Sequence, residues 1–220
     1  MAANLKTSRH AAVAPEPAPT PYPFTQLDIS KREIRVLRIE PGNFEGAVAV
    51  SISVVSLNDQ PVFNTLSYAW GDASARCTID LNGHEISVTV NLESALRHLR
   101  SHASGLMDVL STLLWVDAVC IDQANTEERN SQVRLMGDVY RSANLVIVWL
   151  GNGDEQTDWL FDTLNHGQSR TALDVVGSTD RWRAHWVAET NLFCRSWWSR
   201  LWTIQEAVLP EPEPIMVCGT

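Results

Sequence analysis

The sequence predicts an α/β fold: an open, mainly parallel sheet flanked by helices, with an added β-hairpin, N-terminal strands and a tryptophan-rich helical region. Three observations carry this. "LLWVDAVCIDQ" and "NLVIVWLG" are apolar runs of the kind found in strands covered on both faces, and an amphipathic segment lies between them. "CTIDLNGHEISVT" places Asn82-Gly83 between two alternating runs, which is a hairpin signature. From Asp154 onward the pattern turns helical and holds six of the nine tryptophans.

The individual elements follow in chain order. Residues 1–25 are rich in Ala and Pro and read as a disordered or extended leader, leaving 26–220 as one domain. "EIRVLRIEPG" and "AVAVSISVVSL" are β-branched runs bounded by turn residues, expected to pair as an antiparallel edge. "NTLSYAWGD" is a short buried strand that reaches Trp70 and is broken by Gly71 and Asp72. Asn91 is expected to cap the helix of "NLESALRHLRS", whose Leu92, Ala95, Leu96 and Leu99 share a face. Asn125 with Glu128 three residues on forms a capping box, and Val133, Met136, Tyr140 and Ala143 form the buried stripe of the helix it opens. The closing "EPIMVCGT" reads as one more strand.

Composition narrows the function classes. A chain of 220 residues with 45% hydrophobic content can bury a substantial core, and a net charge of −9 without a basic block argues against nucleic acid or an anionic membrane as partner. The N-terminus lacks the apolar segment of a secretory signal, and no apolar run is long enough to span a bilayer. Cys77, Cys120, Cys194 and Cys218 are widely spaced, with no C-x-x-C, so neither a zinc site nor a disulfide framework is expected. The expectation is a soluble cytoplasmic protein with reduced thiols, Cys120 being inert packing inside a buried strand. No phosphate loop or G-x-S-x-G elbow is present.

In an open parallel sheet, ligands bind beyond the carboxyl ends of the strands. Gly71 and Asp72 follow one such strand, and Asp122 and Gln123 follow another. Acids at these places also cap turns and helices, and spacing alone leaves both roles open. A further acid, Glu206 in "SRLWTIQEAVLP", sits among apolar residues with Trp202, Thr203 and Leu209 on its helical face. Desolvation by Trp202 and Leu209 would favour its neutral form, while Arg195 or Arg200 could hold it ionised. From the pattern alone, an ion pair on the helix surface accounts for it as well.

Three stretches, "LSYAWGD", "LWVDAVCIDQANTEERNSQVRLMGDVYRSANLVIVWLG" and "WWSRLWTIQEAVL", together resemble the fungal heterokaryon incompatibility (HET) domain, from about Glu33 to Gly219. The closing "MVCG" also looks like a piece of that family, which implies that the domain's later portion lies beyond Thr220. The resemblance implies a role in non-self recognition between fungal individuals, with programmed cell death triggered through an incompatibility or sensor partner. A more distant resemblance is to Toll/interleukin-1 receptor (TIR) domains, in the order of strand, Asp, helix, strand and a later Trp and Glu four residues apart. In that family's Ser-x-Trp-Cys-x-x-Glu-Leu motif a Cys follows the Trp; here Thr203 stands in its place.

Several TIR domains cleave NAD+ at the nicotinamide–ribose bond with that glutamate. The likeness therefore implies Glu206 as catalytic carboxylate and NAD+ as substrate, with no cofactor or metal. Positive charge builds on the ribose as neutral nicotinamide leaves, so a fixed anion suffices and no strong acid is needed. Tyr68, Trp70, Gly71, Asp72, Asp117, Asp122, Gln123 and Trp202 are the expected substrate contacts, with the tryptophans stacking on the rings. Such enzymes commonly assemble to complete their sites, which implies a homo-oligomer when active. The alternatives are a signalling module that acts by assembly and recruitment without catalysis, and a scaffold whose acids only cap helices.

Overall fold

In the computed structural model, residues 25–101, 113–166, 179–211 and 213–219 are described; the predicted leader, apart from Thr25, lies outside them. Eight strands form one sheet: β1 (Glu33–Ile39), β2 (Ala49–Ser56), β3 (Phe63–Tyr68), β4 (Arg76–Leu81), β5 (His84–Thr89), β6 (Leu113–Trp115), β7 (Leu145–Asn152) and β8 (Ile215–Gly219). Their order across the sheet is β5-β4-β2-β1-β6-β3-β7-β8. Flanking helices are α1 (Val90–Ser101), α2 (Asp117–Cys120), α3 (Thr126–Ser142), α4 (Glu155–His166), α5 (Thr179–Phe193) and α6 (Thr203–Val208). The predicted α/β class and the mainly parallel sheet are both present.

The half β6-β3-β7-β8 is parallel throughout. Its central strand β3 is buried at every position although it carries Asn64, Thr65 and Ser67. Buried polar groups in a covered strand need partners, and Ser67 supplies one for the functional site. The other half holds the predicted N-terminal strands and hairpin. β4 and β5 pair around Asn82 and Gly83, both at positive φ (52° and 81°), as a type I′ turn demands.

Four local expectations are revised. β1 and β2 pair antiparallel as predicted but do not form an edge, because β4 adds outside β2 and β6 outside β1. "LLWVDAVCIDQ" is a strand only through Trp115; Asp117–Cys120 turns as a short helix, so Cys120 is buried in a helical turn. There, burial pushes its thiol up to about 12, consistent with packing. Asn91 lies inside the first turn of α1 rather than capping it. Its side chain donates to the Ala69 carbonyl (2.6 Å) and accepts from Trp149 Nε1 (3.0 Å), fastening the helix to the ends of β3 and β7. Asn125 caps α3 by accepting from the Glu127 and Glu128 amides, each at 3.1 Å, but Glu128 does not return to close a box.

Glu128 turns instead to Arg35, in the middle of β1 and 1% exposed. Arg35 Nη1 and Nη2 donate to Glu128 Oε1 and Oε2 at 2.5 and 3.0 Å, a bidentate buried pair. Arg35 Nη1 also donates to the Cys120 carbonyl (3.1 Å), and Glu128 Oε1 accepts from the Asp122 amide (2.8 Å). The pair therefore holds the chain at Cys120 and Asp122, between Asp117 and Gln123. Burial works against the ionised acid, but the hydrogen bonds from Arg35 and the Asp122 amide outweigh it and hold the carboxyl below its usual range. Glu128→Ala leaves a guanidinium buried without its counter-charge, and the expected loss is about 3–5 kcal/mol in urea unfolding at neutral pH. A loss below about 1 kcal/mol, the level of an exposed pair, would show that the Arg35 site is open to water.

Candidate functional site

The carboxyl ends of β3, β6 and β7 lie along one edge of the parallel half, and two cavities open there. The larger, about 330 Å³, is lined by Trp70 from the end of β3, Asp117, Ile121 and Gln123 from the segment after β6, and Arg129, Val133 and Met136 from α3. Arg200 and Trp202, just before α6, complete its wall. The smaller, about 220 Å³, lies on the other side of Trp70, with Asp72, Asn91, Ser94 and Asn152 among its lining residues. Trp70, 42% exposed, is shared by both.

Behind the larger cavity lies the buried acid. Glu206 is 1% exposed and is absent from the cavity lining. Arg200 Nη1 donates to its Oε2 and Nη2 to its Oε1, both at 3.1 Å. Ser67 Oγ donates to Oε2 in a very short hydrogen bond and accepts from Trp197 Nε1 at 2.7 Å. Ser67 and Trp197 are both buried. Helix α6 approaches α3 closely at Gly137, where an added Cβ would stand 2.7 Å from Gln205 Nε2. A side chain there would have to displace the flexible end of Gln205.

The sequence places Glu206 in apolar company, and the structure inverts the picture. Its chain neighbours Leu201, Ile204 and Val208 point outward at 82%, 66% and 72% exposure, and Trp202 is 47% exposed. On the sheet side Ser67 contacts Glu206 directly and Trp197 reaches it through the Ser67 hydroxyl. The ion pair is real, with the acid buried and Arg200 partly exposed at the cavity wall. Arg200 is the partner; Arg195 instead donates to the Leu150 and Asn152 carbonyls, each at 2.9 Å.

Of the expected substrate contacts, Trp70, Asp117, Gln123 and Trp202 meet in the larger cavity, and Asp72 lines the smaller. Asp72 also closes its own turn, accepting from the Ser74 amide (2.8 Å) and hydroxyl (2.7 Å). Asp122 lines neither cavity and caps the turn before α3, accepting from the Ala124 (3.0 Å) and Asn125 (3.3 Å) amides. Gly71, at φ +74°, turns the chain out of β3 without lining either space. Tyr68 is buried behind the wall, and its hydroxyl finds no hydrogen-bond partner among the described residues.

Arg129, Val133 and Met136 were not singled out as site residues from the sequence. Their spacing of four and three puts them on one helical face, but that pattern reads equally as core. Val133, expected in the buried stripe, is 37% exposed and faces the cavity, whereas Met136, Tyr140 and Ala143 are buried as expected.

Asp117 is the carboxylate in the larger cavity's wall. Its Oδ2 accepts from Trp70 Nε1 (3.0 Å) and its Oδ1 from the Ala118 amide (2.7 Å). Burial raises its pKa above the ordinary 3.8; the Trp70 hydrogen bond, Arg200 and the Ala118 amide draw it back, and the Glu206 charge adds to the rise. Burial also pushes the Tyr68 hydroxyl well up, helped by the Asp117 charge. A raised carboxyl pKa means that the folded state holds its proton more tightly, so Asp117 weakens the fold once pH climbs past 3.8. Asp117→Asn is therefore expected to raise the melting temperature at pH 7, with the gain shrinking as pH falls toward 3.8 and absent below it. A gain independent of pH, or a loss at pH 7, would contradict the burial of its charge.

Comparison with known proteins agrees with this architecture. The chain matches the family described as Heterokaryon incompatibility protein (HET) over residues 63–206, from the first residue of β3 to Glu206 itself. It is 29% identical over 249 aligned positions to "Heterokaryon incompatibility protein 6, OR allele" of Neurospora crassa, covering 90% of this chain and 35% of that protein. The chain thus spans about a third of the length of that relative. No solved structure matches. The matched segment contains every residue that lines the larger cavity, from Trp70 to Trp202, and the chain belongs to the heterokaryon incompatibility family.

Proposed function

We propose that this chain is an effector domain of fungal non-self recognition that triggers programmed cell death by cleaving NAD+ at the nicotinamide–ribose bond, with Glu206 as the catalytic carboxylate. Support for the biological role comes from family membership and from the name of the Neurospora crassa relative. One observation carries the chemistry: Arg200 lines the larger cavity and, in the same pose, grips both oxygens of buried Glu206. The acid lies one side chain away from ligand space.

NAD+ offers Arg200 a competing partner. Its diphosphate can draw the guanidinium from Glu206, with Arg129 as a second cation, while Trp70 and Trp202 offer faces for stacking. Freed of its counter-charge in a water-poor setting, Glu206 stabilises positive charge on the ribose as the C–N bond breaks and the electron pair leaves with neutral nicotinamide. Water then adds to the ribose carbon and releases a proton. The domain works in the cytoplasm, consistent with four free cysteines, and none of the described helices is long and apolar enough to cross a membrane. An incompatibility or sensor protein provides the activating contact, and homo-oligomerisation accompanies activity.

A second reading has its own observation. Glu206 is fully paired and outside the cavity, while Leu201, Ile204 and Val208 of the same segment face outward, as in a recruitment surface without chemistry. Purified protein incubated with NAD+, alone and fused to a forced oligomeriser, separates the two. The catalytic reading expects nicotinamide release that drops about 10²–10³-fold in Glu206→Gln, the scale of losing a transition-state electrostatic contact. Absence of release from both wild-type forms, or equal release by the variant, would favour recruitment.

A further inference from the structure

Two carboxylates flank Arg200, and they are held differently. Glu206 is neutralised directly by the bidentate guanidinium and is closed off from the larger cavity. Asp117 lines that cavity, and its hydrogen bonds come from neutral donors, the Trp70 indole and the Ala118 amide. The Trp70 bond aims the carboxylate beside the ring that divides the two cavities. Asp117 is also held from behind, since Gln123 Nε2 donates to its carbonyl at 2.8 Å and Arg35 and Glu128 anchor the segment after it. An acid with neutral partners, fixed in a cavity wall, is suited to exchange a proton with a molecule in that cavity.

We propose that Asp117 is a second catalytic residue, which takes the proton from the water that attacks the ribose carbon. This rests on the NAD+ reading above and assigns the half of the reaction that Glu206 does not perform. The first step breaks the C–N bond, with the electron pair leaving on nicotinamide. In the second, the water oxygen bonds to the ribose carbon while one of its protons passes to an Asp117 oxygen, giving ADP-ribose and a protonated carboxyl that later returns the proton to solvent. No oxidant or co-reactant is involved.

Nicotinamide attacking the same ribose carbon in reverse has no proton to lose, so exchange of labelled nicotinamide into NAD+ needs Glu206 but not Asp117. Asp117→Asn retains an oxygen that can accept from Trp70, and wild type and variant are compared for hydrolysis and for exchange in the same oligomerised form. The expected result is hydrolysis reduced about 10²-fold or more, the usual scale of a general base, and a loss of exchange at least about tenfold smaller than the loss of hydrolysis. Glu206→Gln should lower both together. Equal losses of hydrolysis and exchange in Asp117→Asn would reduce Asp117 to a structural role and overturn the proposal, as would unchanged hydrolysis. If wild type performs neither reaction, the NAD+ reading itself fails and this assignment falls with it; exchange by wild type keeps that reading intact whatever Asp117→Asn does.

Discussion

The Arg200–Glu206 pair is the interaction on which the site depends. It joins α6 to the residues just before it, reaches the central strand through Ser67, and meets Trp197 through the same hydroxyl. Burying two charges costs several kcal/mol per ion unless the geometry is good and the remaining lone pairs are satisfied. Here the bidentate fork and the Ser67 hydroxyl meet that condition. A six-residue helix that turns Ile204 and Val208 to solvent and packs only Ala207 against the core gains little from hydrophobic burial. The ion pair and the Ser67 hydrogen bond hold α6 instead.

Guanidinium groups fasten loops elsewhere in the molecule in the same way. Arg100 donates to the carbonyls of Asn43 (2.6 Å), Gly46 (2.8 Å) and Ala47 (2.6 Å), ordering the β1–β2 connection against α1. Arg195 fixes the carboxyl end of β7, and Arg35 with Glu128 fixes the Asp117 segment. In an acidic chain these arginines sit where backbone carbonyls or buried carboxylates need donors, and three of the four clamps border the edge at which the cavities open. The sheet provides the floor; the arginines give its loops a fixed shape.

Much of the fold was legible because it is written in local pattern. Apolar runs marked β3 and β7, Asn82-Gly83 marked the hairpin, and the Leu92–Leu99 stripe marked α1. What escaped was set by tertiary partners. Glu128 at the third helical position looks like half of a capping box, but Arg35, ninety-three residues earlier in the chain, offers a charged partner that the cap cannot match. Asp117 was read as part of a strand because Val116, Val119 and Ile121 are strand formers, and the turn that lifts it to the cavity has no Gly or Pro to announce it. At the site, sequence brought forward Trp70, Asp117, Gln123 and Trp202. It could not show that Arg200 stands between Glu206 and the cavity, because separation by six residues fixes neither which way the guanidinium turns nor which side of α6 faces the sheet.

The central claim is that Arg200 and Glu206 behave as one unit, so that whatever takes hold of Arg200 in the cavity is felt at the buried acid. A double-mutant cycle with Arg200→Met, Glu206→Gln and the combined variant, followed by urea unfolding at physiological ionic strength, measures this directly. The account predicts a coupling energy of about 1.5–3 kcal/mol, with each single variant costing more than the pair removed together would suggest. Single effects that add to within about 0.5 kcal/mol would show two independent side chains, and the link from cavity to acid would be contradicted.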